Sequence, residues 1–335
     1  MRKTIYFLCT VIALVSCEIR FDLDIQGEQS KIFAFCVPGA RDSTAIIVDI
    51  ARFAGDSIAL DMSKVEIDIS VNGERQEVLY QPKYTFPYVS SDHSIPEESF
   101  YITRKIDTDD EVSLTVSYPG LESVHAVTTI PEKPLDASFT IESDDSDGWA
   151  NSSSRFILEY TDPSEESYYA VLFRQKTHDV RSWGYIEDNG EIIMNTREST
   201  SWDTFIISHE FDPFQSDTGA NFEIWNNRTG LLFWDNSDAL DNGGRKMVFF
   251  NTYTLHDVTY RENDLSYGYL DISYEATIYR ISQDLYRYYR SNLLANENSL
   301  SYFGLSRSNA TFSNIKGGFG ILGGMAGTVL TADVE

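Results

Sequence analysis

Over residues 65–71 every second side chain is aliphatic, so Val65, Ile67, Ile69 and Val71 face one way and Glu66, Asp68 and Ser70 the other. Successive side chains on a strand point to opposite faces, so a period of two marks a strand with one buried and one wet face. Asn72-Gly73 follows at once, the pair that tolerates the left-handed backbone of a two-residue hairpin turn. Further strands are predicted over 45–53, 99–103, 111–118 and 123–130, with Pro119-Gly120 turning between the last two. Short strands at this spacing predict two packed sheets, and residues 31–131 are expected to form an immunoglobulin-like β-sandwich.

Pro131-Glu132-Lys133-Pro134 breaks the pattern, because proline gives nothing to a strand ladder and stiffens the chain, and a boundary is placed there. Strands resume over 155–160, 168–176, 185–187, 191–194, 204–208, 231–234 and 246–251, with Asp188-Asn189-Gly190 as a second hairpin turn. The longest run is 270–281. Leu270, Ile272, Tyr274, Ala276 and Ile278 share one face there, and Asp271, Ser273, Glu275 and Thr277 the other. A helix follows over about 283–296. Ser282 is its N-cap, Asp284 lies in its first turn, and Leu285, Tyr288, Tyr289, Asn292 and Leu293 recur at helical spacing. The expected fold is all-β: the sandwich at 31–131, then a larger strand-rich β domain at 135–335 with one packed helix.

The N-terminus predicts the compartment. Arg2 and Lys3 precede an apolar run over 5–15, which Leu14-Val15-Ser16-Cys17 closes. This order is a secretory signal peptide, residues 1–16, ending in a lipobox whose cysteine is acylated after cleavage. A spanning helix needs about 17 to 25 apolar residues, and Glu18-Ile19-Arg20-Phe21-Asp22 ends this run too early. Each buried methylene contributes about 0.8 kcal/mol, so one acyl chain holds a protein marginally and two or three hold it durably. The membrane, reached through lipid on Cys17, is thus the first expected partner, and 17–30 read as a polar tether. Cys9 leaves with the signal, so Cys36 has no partner for an intramolecular disulfide. Its apolar surroundings over 32–37 predict a buried small hydrophobe, not a nucleophile.

Lys and Arg number 26 against 52 Asp and Glu, a net charge of −26; removal of 1–16 takes away Arg2 and Lys3 and leaves it near −28. Such a surface repels phosphates, and no nucleic-acid function is read. Gly318-Phe319-Gly320-Ile321-Leu322-Gly323 spells GxGxxG, but 328–330 look like strand where a dinucleotide site needs a helix. The motif is read as a glycine-rich strand or loop whose small residues allow close backbone approach. His93, His125, His178, His209 and His256 show no zinc-helix spacing, and no serine sits in GxSxG. No cofactor is expected. Asp144-Asp145-Ser146-Asp147-Gly148 has calcium-loop character without the closing bidentate Glu, so Asp145 and Asp147 are the calcium candidates. Trp183, Trp202, Trp225 and Trp234 stand among aspartates and asparagines, the company that sugar-stacking tryptophans keep. They are the ligand-stacking candidates, with core packing as the competing reading.

The lipobox, the start Cys17-Glu18-Ile19-Arg20-Phe21-Asp22-Leu23-Asp24, the junction Thr128-Thr129-Ile130-Pro131 and the close Ser313-Asn314-Ile315-Lys316-Gly317-Gly318-Phe319-Gly320-Ile321 together resemble one family. It is the Bacteroidota lipoprotein family called domain of unknown function 4249, and the resemblance covers nearly the whole mature chain. It implies an outer-membrane lipoprotein, often encoded beside TonB-dependent receptors, with no established activity and no catalytic residues. Glu18, Asp22 and Asp24 resemble a signal that flips such lipoproteins outward, which favours the cell surface over the periplasmic face. The expected function is a non-catalytic binding or accessory subunit of a TonB-dependent nutrient uptake system. One alternative is a surface hydrolase of polysaccharide or peptide, using carboxylates about 5 to 9.5 Å apart that only the fold assembles. Another is a structural or adhesive surface protein.

Overall fold

The structure, a computed structural model, describes residues 29–39, 42–52, 58–81, 99–144, 151–162, 166–204, 222–224, 231–236, 243–255, 257–263, 265–297 and 311–333. It is all-β with one α-helix among the described residues. The first body holds β1 (Lys31–Cys36), β2 (Thr44–Ala51), β3 (Glu66–Val71), β4 (Glu74–Arg75), β5 (Leu79–Gln81), β6 (Ser99–Ile102), β7 (Glu111–Ser117) and β8 (Val124–Thr129). They form two sheets, β1-β2-β6-β5 and β4-β3-β7-β8. Ile32, Ala34, Ile46 and Val48 of the first meet Ile69, Val71, Leu114 and Val116 of the second in one core. At the predicted hairpin Asn72 has φ 53° and Gly73 φ 79°, the two left-handed positions of a tight turn. Asn72 Nδ2 also donates to Asp110 Oδ1, and the Glu111 N–H donates to Asn72 Oδ1, which ties the turn to β7.

The second body holds β9 (Leu135–Asp144), β10 (Asn151–Asp162), β11 (Tyr168–Ile186), β12 (Ile192–Thr204), β13 (Phe222–Ile224), β14 (Leu232–Asp235), β15 (Gly243–Leu255), β16 (Val258–Asn263) and β17 (Ser266–Ile281). After it come α1 (Gln283–Glu297), β18 (Phe319–Leu322) and β19 (Met325–Asp333). One sheet runs β15-β10-β9; the other runs β13-β14-β11-β17-β16, with β12 on β11 and β19 on β17. Ile272, Tyr274, Ala276 and Ile278 of β17 pack on Phe139, Phe156, Leu158 and Phe249 of the smaller sheet, as their alternation predicts. The other face of β17 departs from expectation, because Glu275 and Thr277 are buried as well. Helix α1 lies on that face, where Leu285, Tyr286 and Tyr289 meet Ala170, Leu172, Tyr279 and Ile281. Ser282 caps the helix as predicted. Its Oγ accepts from the Leu285 N–H at 3.4 Å and its carbonyl from the Tyr286 N–H at 3.1 Å.

The sequence division places all of 135–335 in the second body, but β18 pairs in parallel with β1, from Phe33 against Phe319 to Cys36 against Leu322. Ile315, Leu322 and Ala326 complete the first core. The glycines of the GxGxxG run make this return possible. Gly320 has φ +110°, and a Cβ there would overlap the Ala34 carbonyl oxygen; one at Gly318 would overlap that of Ile32. Val37 and Ile321 join the core around α1, and Gly323 lies against Leu285. The helix is therefore wedged between the two bodies, and they share apolar surface.

Candidate functional site

Two strands outrun the core. β14 pairs with β11 only over Tyr168–Val171; from Arg174 onward β12 takes its place, while β16 flanks the outer half of β17. The result is a four-stranded wing, β12-β11-β17-β16. Register assigns its faces, because residues paired across antiparallel strands point the same way. On the face that α1 covers further down, β11 presents Arg174, Lys176, His178 and Ser182. Trp202, Thr200 and Thr196 stand opposite the last three on β12, and Glu275, Ser273, Asp271 and Tyr267 opposite all four on β17. Asp179, Arg181, Trp183 and Tyr185 belong to the reverse face.

The wing keeps apolar groups in water. Trp183, Trp202, Tyr267 and Tyr269 are between 44% and 50% exposed, and Ile186 and Ile192 more so. Trp202, Tyr267 and Tyr269 lie on one face of the wing and Trp183 on the other. Around Trp202 the parts are locked. Arg174 Nε donates to Glu275 Oε1 at 2.9 Å, and its guanidinium carbon lies 4.9 Å from the Trp202 ring centroid, with Lys176 Nζ at 5.8 Å. The arginine pairs a nearly buried carboxylate on one side and holds an indole on the other. His178 Nδ1 lies 3.1 Å from Thr200 Oγ1 and its Nε2 3.5 Å from Glu198 Oε1, while its ring centroid is 6.0 Å from that of Tyr269.

Of the tryptophans singled out in the sequence, Trp183 and Trp202 are at the surface on opposite faces of the wing. Trp234 is corrected to a core residue. β14 lies between β13 and β11, and Trp234 is 1% exposed, stacked on Tyr169 with centroids 5.7 Å apart and donating from Nε1 to Tyr160 Oη at 3.0 Å. Trp225, Asp145, Asp147 and Cys17 lie outside the described residues, as do His93, His209 and His256. Tyr269 and His178 were not joined to Trp202 from sequence. Their proximity depends on the register of three strands that are far apart in the chain.

A cleft of about 710 Å³ opens at the seam between the bodies. Asp42, Lys105, Asp107, Glu132 and Lys133 line it together with Ile106 and Leu135. Its charges are partly matched, since Lys105 Nζ lies 3.8 Å from Asp107 Oδ1 and Arg280 Nη1 3.6 Å from Glu132 Oε2.

A model of the family described as Domain of unknown function (DUF4249) matches residues 19–330. The chain belongs to this family. No curated protein matches it. The DUF4249 match takes in both bodies and the returning β18, so the wing and the seam cleft lie within the family's own bounds.

Among the described residues of this DUF4249 chain are two histidines, His125 and His178, and one cysteine, Cys36. His125 is exposed, 3.2 Å from Thr115 Oγ1. Cys36 is fully buried, and burial pushes its thiol far above the usual range. A raised value keeps the sulfur protonated through neutral and mildly alkaline pH. Iodoacetamide at pH 8 is therefore expected to leave Cys36 unmodified in the native protein and to label it only after denaturation, as read by mass spectrometry. Labelling of the native protein at the denatured rate would contradict its burial.

Proposed function

We propose that this protein is a non-catalytic lipoprotein of the outer membrane, held by acyl chains on Cys17 and displayed at the cell surface. It serves as a binding or accessory subunit of a TonB-dependent nutrient uptake system. The immunoglobulin-like first body acts as a spacer near the lipid, and the second body presents the wing. One observation carries the reading: a wing that projects beyond the core with aromatic and aliphatic side chains exposed, in a chain that carries a lipobox. The surface-hydrolase reading turns on the seam cleft. Asp107 and Glu132 there lie in ion pairs with Lys105 and Arg280, and the cleft shows no exposed aromatic ring comparable to those of the wing.

The test is purification from membranes in mild detergent. A TonB-dependent receptor is expected to accompany the protein, and mass spectrometry is expected to find an N-terminal acylated Cys17. Recovery of the protein alone under gentle conditions would remove the transport role. An intact leader or an unmodified sulfur would remove the anchor.

A further inference from the structure

We propose that the open face of the wing is a glycan-binding site built on a diagonal row of three rings, Trp202, His178 and Tyr269, the last two inclined 52° to each other. The proposal rests on the binding role argued above and names its ligand class. The row follows from register. Trp202 stands opposite Lys176, His178 opposite both Thr200 and Asp271, and Tyr269 opposite Val180. Each step moves one strand sideways and two residues along, so the three side chains share a face and fall on one line. Diagonal neighbours on a sheet are about 7 to 8 Å apart, which makes the row roughly 15 Å from end to end. That length suits a short oligosaccharide better than a single sugar.

The flanks fit the same ligand. A pyranose has apolar C–H faces that stack on aromatic rings and a polar edge that needs hydrogen-bond donors and acceptors. Thr200 and Glu198 run along one side of the row, and Lys176, Ser273 and Asp271 along the other. Trp202 is held in place before any ligand arrives, because Arg174 and Lys176 lie against its ring. Arg174 is itself committed to Glu275, so its charge is not available to draw an anion. The protein's net charge of −26 opposes anionic ligands generally, whereas an uncharged sugar meets no such barrier. Neutral glycans are therefore the class the row selects.

The experiment uses the full chain in detergent, screened on an array of neutral and acidic oligosaccharides, with the strongest ligand then titrated by calorimetry. A neutral glycan of three or more sugars is expected to bind. Trp202→Ala and Tyr269→Ala are each expected to weaken it about tenfold, and Trp202→Phe to recover part of the loss. Trp183→Ala, on the reverse face, is expected to leave affinity unchanged. All variants lie at the surface and should melt with the parent protein, which separates lost contacts from lost folding. The proposal is overturned if no glycan binds, if only acidic glycans bind, or if affinity survives both Trp202→Ala and Tyr269→Ala. Receptor co-purification is a separate readout: a protein that binds glycan yet leaves the membrane alone sinks the transport role and keeps this site, and the converse result does the opposite.

Discussion

Trp234→Ala is expected to destabilise the protein by about 4 kcal/mol, read as a lower midpoint in urea. The indole is 1% exposed on a central strand, with Tyr169 stacked on it and Tyr160 bonded to it. Truncation removes the transfer energy of the largest side chain in the core and leaves a cavity that rigid strands on both sides cannot collapse into. Trp234→Phe tests the parts separately. It keeps most of the stacking, removes the N–H donor, and should lose about 1 kcal/mol from that bond with a smaller term for volume. An alanine variant as stable as the parent would mean that the side chain is not in the core, and would reopen its place among the ligand-stacking candidates.

Gly320→Ala is expected to lose about 3 kcal/mol or more through a different mechanism. The residue has φ +110°, and its missing Cβ would fall on the Ala34 carbonyl oxygen. No rotamer relieves this overlap, because the Cβ position is set by the backbone alone. Either β18 moves off β1 or the alanine keeps a strained backbone. Gly73 supplies the control, since it has φ +79° but nothing within 4 Å of its Cβ position. Gly73→Ala should lose only about 1 kcal/mol, the conformational part. Thermal unfolding compares the two. Equal drops would show that close approach of the strands is not what requires glycine at 320.

The difference between what could be read in the chain and what could not is physical. β3 and its turn were legible because alternation and Asn72-Gly73 are local, and the same is true of Ser282 and the apolar stripe of α1. The outer half of β11 was not, since Lys176 to Ser182 carry polar groups on both faces and give no period. Asp271 and Ser273 obey the wet side of the alternation in β17, but Glu275 and Thr277 are buried, Glu275 beneath its pairing with Arg174, and the strand's own pattern does not record this. The candidate site was half legible. Trp202 was named from composition and context, whereas its alignment with His178 and Tyr269 exists only once β12, β11 and β17 are in register. Trp234 shows the limit of context, because its neighbours in sequence are polar while its neighbours in space are Tyr160 and Tyr169.

The parallel pairing of β18 with β1 has a consequence for how the molecule is made. β1 stays without one of its two neighbours until Phe319–Leu322 have been synthesised. Contacts between such distant partners form late and slowly, so the first body cannot close prematurely during synthesis. The first sheet is therefore completed only by a strand that follows β9 to β17 and the helix in the chain.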